Sequence, residues 1–162
     1  MALEHHKAAI LLIARKLTGT AFSIMRIQFE AYIRGVWLHQ CATETELSAF
    51  TDDRLNYSFA ELVTAVEELE GFSDGILMKA KTSSWKAMCS FTHTGYLQAI
   101  RRNKAATLEP DYEDEELVTV LGFTNAIAIL AGLEITHMAN ATDISNELLN
   151  LAQSVAVPEP KS

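Results

Sequence analysis

Arg26, Glu30 and Arg34 recur at every fourth position within SIMRIQFEAYIRGVWLHQC, Ser23 to Cys41. At about 100 degrees per helical residue they share an arc of about 80 degrees, so one face would carry a guanidinium, a carboxylate and a second guanidinium in line. Charge-assisted hydrogen bonds join such a row. Phe29, Ile33 and Trp37 lie on one side of the arc or within it, and Ile27, Ala31 and Leu38 on the other. The charges are therefore expected to face inward, with Gln28, Tyr32, Gly35 and His39 toward solvent. Two guanidiniums around one carboxylate leave a surplus positive charge that is costly to bury alone. An acid such as Glu61 or Glu134, or a bound anion, is expected to answer it.

His93, in SFTHTG, is the second candidate. Thr92, Thr94 and Gly95 predict a helix break there, from which the imidazole would reach a neighbouring helix and meet Glu30 or a backbone carbonyl. It would serve either as a satisfied structural histidine or as an acid, base or ligand contact. Ser90 stands three residues before it as a conceivable nucleophile, although no oxyanion site is legible. Glu134 and His137 form the ExxH spacing of carboxylate-bridged di-metal bundles. One such pair, with only Glu30 and His93 to add, reads as a helix-end polar pair before a metal site. There is no glycine-rich phosphate loop, CxxC, HExxH or dinucleotide fingerprint, and no cofactor is expected. The adjacent His5 and His6 are assigned no role.

These residues need a scaffold, and 162 residues suffice for one domain; a domain near that size buries about two-thirds of its unfolded surface. A hydrophobic fraction of 49% with 3 Pro and 7 Gly fits a compact helical protein. Cys41 and Cys89 are read as free thiols in a reducing cytoplasm. The net charge of -8 argues against sequence-independent binding to nucleic acid. The basic run Arg101, Arg102 and Lys104 is read as a solvated helix end. The seven-residue apolar run near the start follows Glu4 and lacks a small-residue cleavage site, so no signal peptide is expected. Leu117 to Ala139 is long enough to span a bilayer. Its Thr119, Thr124, Asn125, Glu134, Thr136 and His137, behind DYEDEE, favour a buried or dimer-forming helix instead.

Helical periodicity predicts a first helix over about Ala2–Lys16, a central one over Thr20–Ala42 and a short one capped by Thr43 in TETE. Ser58 should cap a fourth, with Leu62, Val66 and Leu69 inward and Gly71 as its end. A fifth is expected from Gly75 to about Met88, a long one behind DYEDEE, where the macrodipole favours acids, and a last one from Asp143 to Val155 after Thr142. No segment sustains a period of two, so no strand is expected.

RIQFEAYIRGVW, Arg26 to Trp37, resembles the RxQ(F/Y)EAxxRxxW helix, and SFTHTG resembles the S(F/Y)xHGG turn, of a bacterial helical family known as a domain of unknown function. Thr124 and Asn125 fall where that family tends to carry Ser-Asn, and Thr94 departs from its glycine. The resemblance implies that Arg26, Glu30, Arg34, Ser90, His93 and Asn125 belong to one site. A looser similarity links the chain to HEPN-type helical ribonucleases, small dimers from toxin and defence systems. Their motif places a histidine four to six residues after an arginine, whereas here His93 precedes Arg101 and Arg102.

The expectation is a single all-α domain over residues 1–157, a bundle of five to seven helices, with a disordered tail over 158–162. It is expected to be cytoplasmic and homodimeric, with no DNA or membrane partner. Its function is read as binding a small anionic ligand through those six residues, with His93 as the candidate catalytic group. The alternatives are a HEPN-like ribonuclease and a structural homodimer with an internal salt-bridge network.

Overall fold

The computed structural model describes residues 1–101 and 110–155. Among these, eight helices follow one another without a strand: α1 (Ala2–Ala14), α2 (Thr18–Gln40), α3 (Glu44–Thr51), α4 (Phe59–Glu67), α5 (Ile76–Thr92), α6 (Tyr96–Ile100), α7 (Asp114–Met138) and α8 (Thr142–Val155). The all-α fold agrees with the sequence reading. The expected maximum of seven helices is exceeded because the chain re-enters a short helix, α6, directly after the SFTHTG break. The expected tail over 158–162, and Arg102 and Lys104 of the basic run, lie outside the described residues.

The core forms around α2, which packs against α1, α4, α5 and α7. Its Phe22, Met25, Phe29, Ile33, Val36 and Trp37 are buried with Leu62, Val63 and Val66 of α4, Met88 and Phe91 of α5 and Val120 and Ile127 of α7. With helices on several sides, the buried face of α2 spans about half the helix circumference. That rotation overturns two expectations. Gln28 and Tyr32, read as solvent-facing, are 0% and 3% exposed, while Ile27, read as an apolar flank, is 42% exposed. Arg26, Glu30 and Arg34 do not face inward but stand at the edge between the two faces, half-buried. Gln28 enters the core because its Nε2 donates to the Thr124 carbonyl of α7 at 2.9 Å. Its Oε1 is buried without a partner among the described residues.

Local signals fixed several boundaries. Thr43 and Ser58 cap α3 and α4, as the sequence predicts, through reciprocal boxes with Glu46 and Glu61, the second of which the sequence reading did not anticipate. Glu113 and Glu116 do the same at α7, satisfying backbone donors that the first turn leaves without intrahelical partners. α4 ends at Glu67, ahead of the predicted Gly71, and α5 continues past Met88 to Thr92. Beyond α5, Thr94 adopts φ +54°, an unfavourable value for a β-branched residue. The Gly95 amide then closes onto the Ser90 carbonyl at 2.7 Å. A Cβ on Gly95 would lie 2.6 Å from Ser90 Oγ, so only glycine fits this approach. α7 is long and apolar enough to cross a membrane by length and composition. Here it packs on α1, α2 and α8.

Candidate functional site

The charged edge of α2 faces a cleft of about 390 Å³ closed by the start of α4 and the middle of α5. Arg26, Glu30 and Arg34 enter from α2, Ser58, Phe59 and Ala60 from the first turn of α4, and Lys81 and Trp85 from α5. Three cations thus surround one carboxylate. The floor is aromatic, because Phe59 stacks on Trp85 with ring centroids 4.4 Å apart and 12° between planes. Phe29 meets Phe59 edge-on at 5.2 Å, tying this floor to the core.

Within the cleft the cations differ in freedom. Arg26 donates from Nε to Glu30 Oε1 at 2.8 Å and lays its guanidinium carbon 4.8 Å from the Trp85 ring centre. Its Nη1 also meets His93 Nε2. A guanidinium can only donate, so in this contact Nε2 accepts and the imidazole proton belongs on Nδ1. Arg26 is therefore fixed from three directions. Arg34 and Lys81, also half-buried, have no hydrogen-bond or ion-pair partner among the described residues. The acids expected to answer the surplus charge are engaged elsewhere: Glu61 caps α4, and Glu134 accepts from His39 Nδ1 at 2.9 Å and Gln40 Nε2 at 2.6 Å.

The model of DUF6988, a family of unknown function, matches residues 1–157 of this chain. The chain belongs to that family. No curated protein and no solved structure matches it.

In this DUF6988 member Arg26, Glu30 and Arg34 line one cleft, the exposed His93 touches only Arg26 of these, and Ser90 and Asn125 lie outside the group. Ser90 serves the turn, its Oγ accepting the Leu97 amide at 3.1 Å, so it is held in place rather than presented to a substrate. Asn125 Oδ1 accepts from His6 Nε2 at 2.8 Å, where both residues line a separate, mostly apolar cleft with Leu3, Ala128 and Leu148. His6, assigned no role in the sequence, thus pins α1 to α7. Glu134 and His137 do not form a metal pair: the first binds His39 and Gln40, the second is exposed. No group of three or more His, Cys, Asp or Glu suited to a metal occurs among the described residues. Arg101 is not a solvated helix end, since its Nη1 donates to Glu116 Oε2 at 2.9 Å.

Sequence reasoning missed Lys81, Trp85 and the first turn of α4. The available signal was the spacing of Lys81 and Trp85, four residues apart on one helix face. What it lacked was the knowledge that this face meets α2. A separate cleft of about 350 Å³ is acidic instead, with Glu46, Glu61 and Glu68 lining it beside Trp37, Cys41 and Tyr57. Burial, then Glu68 and Glu46, raises the Cys41 thiol above its ordinary value, away from the reactive thiolate. Burial and then Glu134 raise the Tyr32 phenol likewise.

Proposed function

We propose that the protein binds a small anionic molecule in the cleft between α2, α4 and α5. Arg34 and Lys81 meet the anion, while Arg26, held by Glu30, His93 and Trp85, frames the opening. One observation carries this reading: three cations face a single carboxylate around a cavity of about 390 Å³, in a chain whose net charge is -8. Like charges held side by side without partners repel, and an anion between them converts that cost into attraction. His93 acts here as an acceptor that orients Arg26. Isothermal titration of the full chain with inorganic phosphate, sulfate and citrate at low salt tests the reading. At least one should bind, and the Arg34→Ala/Lys81→Ala double variant should weaken it about tenfold or more. Heat signals absent for all three anions, or unchanged in the double variant, would overturn it.

A second reading, self-association, draws support from apolar side chains left exposed on three helices: Ile10 and Leu11 of α1, Ile135 and Met138 of α7, and Ile144 and Leu151 of α8. Light scattering over a range of concentrations distinguishes monomer from dimer. The HEPN-like ribonuclease has less behind it, because His93 Nε2 is engaged by Arg26 and no histidine follows Arg101 within six residues.

A further inference from the structure

The cleft carries two kinds of unused hydrogen-bonding capacity, and together they narrow the class of anion. The first is donor capacity. Besides Arg34 and Lys81, the cleft is lined by the first two residues of α4, Phe59 and Ala60. The Ser58 hydroxyl accepts the Glu61 amide and the Ser58 carbonyl accepts the Leu62 amide, so the capping box leaves the Phe59 and Ala60 amides without an acceptor among the described residues. Two side-chain cations and the positive end of a nine-residue helix therefore share one cavity. A tetrahedral dianion with several acceptor oxygens matches that donor set better than a planar carboxylate does.

The second is acceptor capacity. Glu30 Oε1 is taken by Arg26 Nε, whereas Oε2 accepts from no described donor. A carboxylate beside an anion site repels a second acidic group and accepts from a hydroxyl. The aromatic floor adds an exclusion. Phe59 and the Arg26 guanidinium both lie within 5 Å of the Trp85 ring centre and already take up stacking surface of the indole. A nucleobase would have to displace one of them to stack there, and the net charge of -8 disfavours a polynucleotide.

Resting on the anion-binding reading, we infer that the ligand is a phosphomonoester of a small hydroxylated molecule, of the sugar-phosphate class. Its phosphate sits between Arg34, Lys81 and the first turn of α4, and a hydroxyl donates to Glu30. Isothermal titration of the full chain with glucose 6-phosphate, glycerol 3-phosphate, inorganic phosphate, citrate and glucose tests this. At least one of the two esters should bind about tenfold more tightly than inorganic phosphate, and glucose should not bind measurably. Glu30→Gln should reduce the ester's advantage over phosphate while phosphate itself still binds, a separation that general unfolding would not produce. If phosphate or citrate binds as tightly as both esters, or if Glu30→Gln leaves the ester's advantage intact, the sugar-phosphate assignment is overturned and anion binding stands. If no anion binds, both fall.

Discussion

The Arg26 guanidinium carbon lies 4.8 Å from the centre of the Trp85 ring, the same indole on which Phe59 stacks with centroids 4.4 Å apart. Cation–π attraction, the Glu30 ion pair and the His93 contact together turn Arg26 into part of the wall. The charge free to meet a ligand is therefore on Arg34 and Lys81, about two helical turns further along α2 and across on α5.

Trp85→Ala should loosen this wall. The half-buried indole stacks on Phe59 and supports Arg26, so its removal is expected to cost ~2 kcal/mol, less than a fully buried tryptophan. Urea denaturation measures the loss, and a midpoint equal to that of the parent would show that the stack contributes nothing.

Gln28→Met should be neutral or stabilising by up to ~1 kcal/mol, despite removing a fully buried hydrogen bond. The substitution eliminates the unpartnered Oε1 and keeps the side-chain volume. Gln28→Ala, which leaves a cavity, is expected to cost ~2 kcal/mol or more. Thermal unfolding of the pair checks the order, and a methionine variant less stable than the alanine variant would refute it.

Thr94→Gly should raise stability by ~0.5–1 kcal/mol, because Thr94 holds φ +54°, where a β-branched residue is strained and glycine is not. Gly95→Ala should do the reverse, since its Cβ would press on Ser90. The same denaturation curves report both, and matching shifts would remove the distinction between neighbouring turn positions.

Acid should weaken the α3 and α4 caps. Tyr57 first, then the Thr43 backbone and side chain, hold the Glu46 carboxyl below its ordinary value; the Ser58 side chain first, then its backbone, do so for Glu61. A carboxyl whose folded value lies below its unfolded one contributes stability above the unfolded value and loses it as pH falls through the folded one. The Tm deficit of Glu46→Gln and Glu61→Gln should therefore be largest near neutral pH and shrink through the carboxylate range. A deficit that stays constant with pH would contradict the assignment.

Helix positions and caps were legible in the sequence because their causes are local. Thr43 with Glu46, and Ser58 with Glu61, state where α3 and α4 begin without reference to any neighbour. Which face of α2 would be buried was not local. Four helices pack around it, so Gln28 and Tyr32 turned inward against their polarity, while Ile27 turned outward. The site was half legible for the same reason. Arg26, Glu30 and Arg34 share one helix, and the SFTHTG bend brought His93 to Arg26. Lys81 and the α4 amides depend on how α4 and α5 cross α2, and Asn125 was drawn away by His6, whose pairing spans 119 positions of chain.

The most direct test of a phosphate seat at the α4 start is a ¹H–¹⁵N correlation spectrum of the full chain titrated with inorganic phosphate. The Phe59 and Ala60 amides and the Arg34 Nε–H should shift together, saturate at one concentration, and stay still in Arg34→Ala/Lys81→Ala. Saturable shifts confined to other residues, or none at all, would contradict the account.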